Sequence, residues 1–322
     1  MKILVTGGAG FIGSNLVEYL LSLPEVNLVR VLDNLATGNL KNIEPFQNNP
    51  RFEFIEGDIR DYATCLKACN NIDLISHQAA LGSVPRSIQD PLTSNEVNVT
   101  GTLNIFTAAK EQGVQRVVYA ASSSTYGDHP GLPKIEDKIG NPLSPYAVTK
   151  YVNELYARVY ANVYGLKLIG LRYFNVFGPK QNPQGPYAAV IPLFVKSILN
   201  NEPPTINGSG EHSRDFTFVD NAVHANVCAL FTQNEEAVNQ VYNIACGEQT
   251  TLNQLFEDLK SIAGSDLAPI YGPERAGDVK HSLADISKAQ GLLNYNPPVR
   301  VRDGLKKTLE WYRQQHHFSY ST

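Results

Sequence analysis

The hydrophobic positions in the first half of the chain form short continuous runs that do not alternate with polar residues. The runs are rich in Val, Ile and Leu and are bounded by turn residues, which is typical of strands buried on both faces of a parallel sheet. This pattern predicts strands at Ile3–Thr6, Val26–Leu32, Arg51–Ile55, Ile72–His77, Val114–Ala120 and Leu166–Arg172.

Longer stretches with helical character separate these strands, and they end at Pro24, Gly113 and Gly165. The predicted helices are Ser14–Leu23, Asn95–Gln112 and Ser144–Tyr164. Strands that alternate with helices predict an α/β fold, with a doubly wound parallel sheet covered on both faces.

The pattern changes after about residue 175, where proline and glycine become frequent. Further strands are predicted at Phe216–Val219 and Val241–Ile244, and a last helix at Val301–Gln314. These elements predict a smaller mixed α/β domain that interleaves with the first. We place residues 1–175 and 215–247 in the first domain, and residues 176–214 and 248–322 in the second.

Composition excludes several classes of protein. Lys and Arg total 27 against 31 for Asp and Glu, so the net charge of −4 argues against a nucleic-acid binder. We find no apolar run of the roughly 18 residues that a membrane span needs, and no signal peptide before the first strand. Four cysteines are too few for a disulfide framework in a chain of this length, so we expect a cytoplasmic protein.

A glycine-rich loop follows the first predicted strand, with the sequence Thr6-Gly7-Gly8-Ala9-Gly10-Phe11-Ile12-Gly13. Glycines here allow a tight turn and a close approach of the backbone to a diphosphate, which would rest on the amino end of the next helix. By itself the pattern is equally compatible with an ordinary tight turn.

Asp33 ends the second predicted strand, 20 residues beyond Gly13. A carboxylate there would accept hydrogen bonds from the adenosine ribose and repel a 2′-phosphate, which favours NAD over NADP. A loop-capping acid is the alternative. Gly57-Asp58-Ile59 and Gln78-Ala79-Ala80 follow the next two strands, where the adenine and ribose of a dinucleotide would lie.

Tyr146 and Lys150 are four residues apart at the start of a predicted helix, so their side chains share one face. A tyrosine phenol has a pKa of about 10, and a neighbouring ammonium would lower it toward the range of a useful base. Such a pair alone usually marks a solvated helix face. Ser122, Ser123 and Ser124 follow the fifth strand, and one of their hydroxyls could share the substrate proton with the phenolate. At least one of these serines could instead be an ordinary polar residue where the strand passes into a loop.

The remaining reactive side chains have structural explanations. His77 ends a strand and is interpreted as a packed core histidine, and Cys65 and Cys69 share a helix face that favours core packing. The histidines have no metal-ligand spacing, so no metal is predicted.

Together, the glycine loop, Asp33, the serine run and Tyr146-Ala147-Val148-Thr149-Lys150 resemble the extended short-chain dehydrogenase/reductases that act on nucleotide sugars. Four further motifs are most similar to UDP-sugar 4-epimerases, in particular the bacterial UDP-N-acetylglucosamine (UDP-GlcNAc) 4-epimerase group. They are Ser-Ser-Ser-Thr-Tyr-Gly-Asp (122–128), Leu171-Arg172-Tyr173-Phe174-Asn175, Ser213-Arg214-Asp215-Phe216 and Arg275-Ala276-Gly277-Asp278. The resemblance implies a Rossmann domain with bound NAD, a smaller substrate domain, and a homodimer built on the helices at 95–112 and 144–164.

The resemblance also implies roles for individual residues. Tyr146 would be the base, Lys150 its activator and Ser122 the hydroxyl partner, since Ser122 stands five residues before Gly127. The predicted cofactor residues are Gly7, Gly10, Phe11, Ile12, Asp33, Asn34, Thr37, Gly38, Asp58, Ile59, Gln78, Ala79, Ala80, Asn98, Tyr146, Lys150 and Phe174. The predicted substrate residues are Gly82, Ser83, Arg86, Ser124, Asn175, Ala189, Asn207, Arg214, Arg275, Asp278 and Ser282.

Two of these assignments leave alternatives. Arg214 and Arg275 would bind the diphosphate, although each could instead pair with a neighbouring acid on the surface. Gly82 occupies a position where galactose epimerases carry a lysine, so this loop is expected to contact the sugar differently.

The implied reaction removes the proton of the sugar 4-hydroxyl and its hydride, turns the 4-keto sugar over, and returns the hydride to the other face. The expected function is therefore a UDP-GlcNAc 4-epimerase that could also act on UDP-glucose. A 4-epimerase for the uronic acid form of UDP-GlcNAc stays open, as does a non-catalytic NAD-binding regulator. A dehydratase is disfavoured because Ser123 and Ser124 replace the acidic pair that eliminates water.

Overall fold

The computed structural model describes residues 1–183, 188–274 and 280–319. Of the predicted site residues, Arg275 and Asp278 lie outside these ranges.

Most of the longer strands lie in the first half of the chain. The strands are β1 (Lys2–Thr6), β2 (Leu28–Asp33), β3 (Phe52–Glu56), β4 (Leu74–His77), β5 (Arg116–Ser122), β6 (Leu168–Tyr173), β7 (Val176–Phe177), β8 (Thr205–Asn207), β9 (Ser213–Arg214), β10 (Thr217–Phe218), β11 (Gln240–Ile244), β12 (Thr250–Thr251) and β13 (Ile270–Gly272).

The central sheet has the strand order β11-β6-β5-β4-β1-β2-β3, and each neighbouring pair is parallel. The order reverses between β1 and β4, which creates a crevice at the carboxyl ends of these strands, where doubly wound sheets bind their ligands. The predicted α/β class and the Rossmann-type sheet are confirmed.

All six strands predicted in the first half are present, but most begin later than their apolar runs. Val26 is fully buried, yet β2 begins at Leu28 because that residue is the first to pair, opposite Lys2 of β1. The strand predicted at Phe216–Val219 is shorter, since β10 contains two residues and Val219 already starts a helix.

The helices cover the sheet and build the second half of the chain. They are α1 (Phe11–Ser22), α2 (Tyr62–Cys69), α3 (Val84–Gln89), α4 (Pro91–Asn95), α5 (Gly101–Glu111), α6 (Pro145–Tyr164), α7 (Val190–Leu199), α8 (Val219–Phe231), α9 (Leu252–Ala263), α10 (Ser287–Leu293) and α11 (Val301–Ser319).

Helix α6 has the ends that its sequence predicts. The Ser144 hydroxyl accepts a hydrogen bond from the Ala147 N–H, and Pro145 occupies the first helical position. Gly165 ends the helix in the left-handed conformation, with φ of +69°. These caps fix the first turn of α6, which carries the tyrosine–lysine pair.

The region predicted as one helix, Asn95–Gln112, is helical over nearly its whole length but is interrupted. A π-helical turn at Glu96–Thr100 separates α4 from α5. The wider turn places the buried Asn98 beside Leu81, whose N–H donates to the Asn98 side-chain oxygen at 2.8 Å. Because Leu81 is 17 residues away, local sequence gives no sign of this turn.

The two faces of the sheet have separate hydrophobic cores. Helices α1 and α8 cover one face, and α2, α5 and α6 cover the other. Cys65 and Cys69 are fully buried in the second core, as predicted. A further core joins α7, α9 and α11 with β10, although the domain boundaries stay a prediction.

Among the described residues, we find no helix with the length and apolar character of a transmembrane segment.

Candidate active site

The turn from β1 into the start of α1 makes two approaches that only glycine permits. Gly7 has a φ of +68°, and a Cβ there would lie 2.7 Å from the backbone nitrogen of Ala79. A Cβ on Gly13 would lie 2.1 Å from the carbonyl oxygen of Gly7. Backbone atoms cannot move aside without disturbing the sheet, so both glycines are required by the tight turn. The turn brings the amino end of α1 to the crevice, a position that favours a diphosphate.

Asp33, at the end of β2, holds this loop from the other side. One carboxylate oxygen accepts from the Ala9 N–H at 3.0 Å, and the other accepts from the Leu35 N–H at 2.8 Å. Burial raises the pKa of Asp33, while the two backbone hydrogen bonds oppose that rise. The carboxylate therefore both fixes the glycine loop and lies where a ribose could bind. The sequence analysis expected the ribose role and kept a loop-capping acid as the alternative, and the bond from the Leu35 N–H is a contact of that second kind. The bond from the Ala9 N–H was not expected.

Asp58 belongs to a polar cluster beyond β3. Its carboxylate binds the Arg60 guanidinium at 2.8 Å and accepts from the Asn34 side chain at 2.9 Å. The Arg60 hydrogen bond is the main reason that the pKa of Asp58 falls to about 2. This cluster bridges the loops that follow β2 and β3.

These loops surround a cavity of about 580 Å³ at the carboxyl edge of the sheet, which we call the large cavity. Its size and its mixture of apolar walls with a few polar groups are typical of cofactor sites. The predicted residues in its wall are Gly7, Gly10, Phe11, Ile12, Asp33, Asn34, Thr37, Asp58, Ile59, Gln78, Ala79, Ala80, Gly82, Ser122, Tyr146, Lys150 and Asn175. The glycine turn, the amino end of α1 and the carboxylate of Asp33 together fit a dinucleotide.

Three predicted cofactor residues lie behind this wall. A Cβ on Gly38 would lie 3.0 Å from a carboxylate oxygen of Asp33, so Gly38 packs against that side chain. Asn98 is buried and hydrogen-bonds Leu81. Phe174 is fully buried in a small core. A direct cofactor contact from these three side chains stays a prediction.

Tyr146 lines the large cavity together with Ser122 and Ser123, the first two residues of the serine run. Burial raises the pKa of Tyr146, and the Ser122 hydroxyl close to its phenol opposes that rise. Ser124 donates to the Ser122 oxygen twice, through its hydroxyl at 2.9 Å and its N–H at 3.1 Å. With both donations directed at its oxygen, Ser122 has its own proton left to give to Tyr146.

Lys150 lies one turn along α6 and is also buried. Its ammonium donates to the Ala120 carbonyl at 2.9 Å and is 6.0 Å from the centre of the Tyr146 ring. Burial lowers the pKa of Lys150 to about 8. The bond to β5 fixes the ammonium in the wall of the large cavity.

His77 is a core histidine, as predicted. Its ring nitrogens lie 2.6 Å from the Thr6 hydroxyl and 3.0 Å from the Thr102 hydroxyl. Burial lowers the pKa of His77 to about 3, so the ring is neutral. It links the end of β1 to α5.

A second cavity of about 260 Å³, which we call the small cavity, lies beside the large one. Four predicted substrate residues line it: Asn175, Ala189, Asn207 and Arg214. Asn175 and Val176 line both cavities, so the two meet at the start of β7 and the residue before it. The Asn175 side chain donates to the Asp215 carbonyl at 3.0 Å, which ties this segment to the Arg214 strand.

Other predicted substrate residues have structural contacts of their own. The Ser83 hydroxyl caps α3 by accepting from the Arg86 N–H at 3.2 Å. Ser282 is half-buried, and its N–H donates to the Ser213 carbonyl at 3.1 Å. Neither cavity, in the part of its wall that the structure describes, includes Ser83, Arg86 or Ser282.

Tyr173 was missed by the sequence reasoning, although it lines the large cavity. Its hydroxyl donates to the Gln78 side chain at 3.1 Å and accepts from Asn226 at 2.7 Å. Its place at the carboxyl end of β6 was the available signal, because the ends of parallel strands meet at the ligand-binding edge.

Comparison with known proteins agrees with this geometry. The model of the NAD dependent epimerase/dehydratase family matches residues 3–245. A putative UDP-glucose 4-epimerase from Methanocaldococcus jannaschii is 39% identical over 314 residues, with 97% of this chain and 98% of the relative covered.

Solved structures give the same result. UDP-GlcNAc 4-epimerase from Methanobrevibacter ruminantium M1, in complex with UDP-N-acetylmuramic acid, matches with a TM-score of 0.92 and 40% identity over 98% of each chain. UDP-glucose 4-epimerase from Thermotoga maritima, with UDP-glucose, matches with a TM-score of 0.91 and 38% identity, covering 98% of this chain and 100% of that one. The chain therefore belongs to the NAD dependent epimerase/dehydratase family, and NAD is its cofactor.

Proposed function

We propose that this protein is a UDP-sugar 4-epimerase and that its substrate is UDP-GlcNAc, which it interconverts with UDP-N-acetylgalactosamine. The observation that carries the proposal is the set of Ser122, Tyr146 and Lys150 in the wall of a dinucleotide-sized cavity, with Ser124 donating to Ser122. This arrangement suits proton transfer to and from a substrate hydroxyl.

The glycine turn and the amino end of α1 would hold the diphosphate of NAD, and Asp33 the adenosine ribose. When bound, NAD would supply a reversible hydride acceptor. Lys150 would hydrogen-bond the second ribose and favour the phenolate form of Tyr146.

Tyr146 would take the proton from the sugar 4-hydroxyl and later return it. Ser122 would support it by donating to the phenolate oxygen, an orientation that the two donations from Ser124 favour. The proton thus stays within hydrogen-bonded groups during both halves of the reaction. The same residues would serve both directions, as an epimerisation needs.

The small cavity is the proposed site for the nucleotide end of the substrate. Arg214 in its wall would bind the diphosphate, where a guanidinium matches paired oxygens. Because the two cavities meet at Asn175 and Val176, a UDP-sugar held there would extend its sugar toward Tyr146. Ala189 and Asn207 would contact the nucleotide, with Arg275 and Asp278 assigned to the substrate from the sequence alone.

The names of the relatives support the reaction class more strongly than the sugar. One solved relative is a UDP-GlcNAc 4-epimerase and another is a UDP-glucose 4-epimerase, at similar identity. We favour UDP-GlcNAc because Ser282 is small and would leave room for an acetamido group. The serines at 123 and 124 disfavour elimination of water, as a dehydratase would require.

The direct test is to incubate the purified protein, without added NAD, with UDP-GlcNAc, UDP-glucose or the uronic acid form of UDP-GlcNAc, and to identify the products by NMR. We expect UDP-GlcNAc to give a mixture of 4-epimers. If only the uronic acid form were converted, it would replace UDP-GlcNAc as the proposed substrate. Bound NAD without turnover of any of the three would favour a regulatory protein.

Asp33→Ala should weaken the retention of NAD, because the ribose loses its acceptor and the Ala9 N–H loses its partner. The measurement is the amount of cofactor released on denaturation, identified by chromatography. Asp73→Ala is the matched control, since Asp73 accepts from the Lys2 N–H at the amino end of the sheet. Equal retention by both variants, or NADP in the wild-type protein, would contradict the role of Asp33.

We also propose that the protein is a homodimer. Helix α6 carries an exposed apolar stripe of Val148, Leu155, Val159 and Val163. Leu92, on the neighbouring α4, is 77% exposed and extends the stripe. Two copies that packed these faces together would remove this surface from water.

Sedimentation equilibrium should give about twice the chain mass of 35.4 kDa for the wild type, and Val159→Glu should shift the protein to monomer. Ile270→Glu, at an exposed apolar position on β13, is the control and should leave the mass unchanged. A monomeric wild type would refute the dimer.

A further inference from the structure

The backbone N–H of Tyr146 lies in the first turn of α6, where amides have no acceptor within the helix. Pro145 has no N–H. The N–H of Ala147 donates to the Ser144 hydroxyl at 3.1 Å, and the N–H of Val148 donates to the Ser144 carbonyl at 3.0 Å. The helix and its cap therefore provide acceptors for the N–H groups of Ala147 and Val148, but not for the N–H of Tyr146.

The acceptor for Tyr146 comes from another helix. Ser87, on α3 and 59 residues away in the sequence, accepts the Tyr146 N–H on its hydroxyl oxygen at 3.0 Å. Its own proton goes to the Val84 carbonyl at 2.7 Å. Ser87 is fully buried, so water cannot easily replace it as the acceptor.

The carbonyl of Tyr146 is tied to the same region of the chain. It accepts from the Thr149 hydroxyl at 2.7 Å, and Thr149 in turn accepts from the Asn98 side chain at 3.1 Å. Asn98 also accepts from the Leu81 N–H. Both backbone groups of Tyr146 are thus connected to the segment between β4 and α4.

We infer that Ser87 is a positioning residue for Tyr146, fixing the backbone of the catalytic tyrosine through this hydrogen bond to its N–H. The inference rests on the proposed role of Tyr146 as the base. Ser87 itself touches neither substrate nor cofactor in this proposal. Its effect is to hold the Tyr146 backbone, from which the phenol reaches Ser122 and the substrate.

Loss of this bond should affect turnover more than binding. A buried amide without an acceptor is unfavourable, so the variant is expected to relieve it by a shift of the Tyr146 backbone. Small displacements of a reacting group can slow an enzyme severely. The glycine turn, Asp33 and Arg214, which are proposed to hold NAD and the substrate diphosphate, lie on elements other than α3 and α6, so they should be little disturbed. We expect kcat to fall while KM and cofactor content stay the same.

The test compares Ser87→Ala with Ser94→Ala in the NAD-bound protein. Ser94 is the matched control because it is equally buried and donates to a carbonyl of its neighbouring turn, Asp90, at 2.8 Å. Its described hydrogen bonds do not reach α6. Ser87→Ala should lower kcat about tenfold, with KM for UDP-GlcNAc within about twofold and NAD content unchanged. Ser94→Ala should keep kcat near the wild-type value.

Ser87→Thr separates positioning from stability. It keeps the hydroxyl but adds a methyl group in a buried site, so it should lower Tm while keeping most of kcat. If Ser87→Ala has the same kcat as Ser94→Ala, or if Ser87→Thr loses as much kcat as Ser87→Ala, the inference is wrong. Tyr146→Phe, assayed in parallel, separates this result from failure of the proposed function, since wild-type turnover in that variant would remove the base assignment itself.

Discussion

Tyr146→Phe should reduce turnover at least about 100-fold, the usual scale for loss of a general base, while the fold and the bound NAD are retained. The substitution removes one hydroxyl and leaves the ring and the backbone hydrogen bonds in place. The phenol that is lost lies close to the Ser122 hydroxyl, and both residues line the large cavity. Without the phenol oxygen, the sugar 4-hydroxyl loses the proposed acceptor for its proton.

The matched control is Tyr151→Phe, a half-buried tyrosine on the same helix for which we propose no chemical role. Turnover of UDP-GlcNAc is measured for both variants, together with Tm and the NAD released on denaturation. Tyr151→Phe should be close to wild type in all three. Near-normal turnover by Tyr146→Phe would mean that another group is the base.

The sheet could be predicted from the sequence because strands that are buried on both faces are apolar at consecutive positions. Runs such as Val117–Ala121 are continuous and apolar, which is typical of a covered parallel sheet. The ends of α6 were equally predictable. Ser144 and Pro145 favour the start of a helix and Gly165 favours its end, and these preferences depend only on the local backbone. Strand ends were less predictable, because pairing decides them: β2 starts where it meets Lys2 of β1.

The same distinction holds for the candidate site, where positions at strand ends could be predicted and long-range contacts could not. Side chains at strand ends, such as Asp33 and Ser122, could be proposed from position alone, since parallel strands end at one edge. The π-helical turn at Glu96–Thr100 could not, because it depends on a contact between Asn98 and Leu81. The hydrogen bond between Ser87 and Tyr146 spans 59 residues and involves a buried serine. Contacts of that kind follow from tertiary packing and leave no local pattern.

Ser282 is the residue that we propose to select the sugar, and its backbone is held by a neighbouring strand. Its N–H donates to the Ser213 carbonyl, and the preceding residue, His281, forms a bridge with Ser213. The segment is thereby held against the strand whose next residue, Arg214, lines the small cavity. Asp215 adds a further link, since its carboxylate accepts from the Ala284 N–H at 3.2 Å. A large side chain at Ser282 would have little freedom to move away with its backbone.

Ser282→Tyr is therefore expected to lose activity on UDP-GlcNAc while keeping or gaining activity on UDP-glucose. Overfilling a packed site costs about 1–3 kcal/mol, which corresponds to a factor of roughly 5 to 150 in kcat/KM. The UDP-glucose sugar lacks the acetamido group and should escape this cost. The measurement is kcat/KM for both sugars, with Ser282→Ala as a small-residue control that should resemble wild type. An equal fall for both sugars would make Ser282 structural, and no change for either would place the selection of the sugar at another residue.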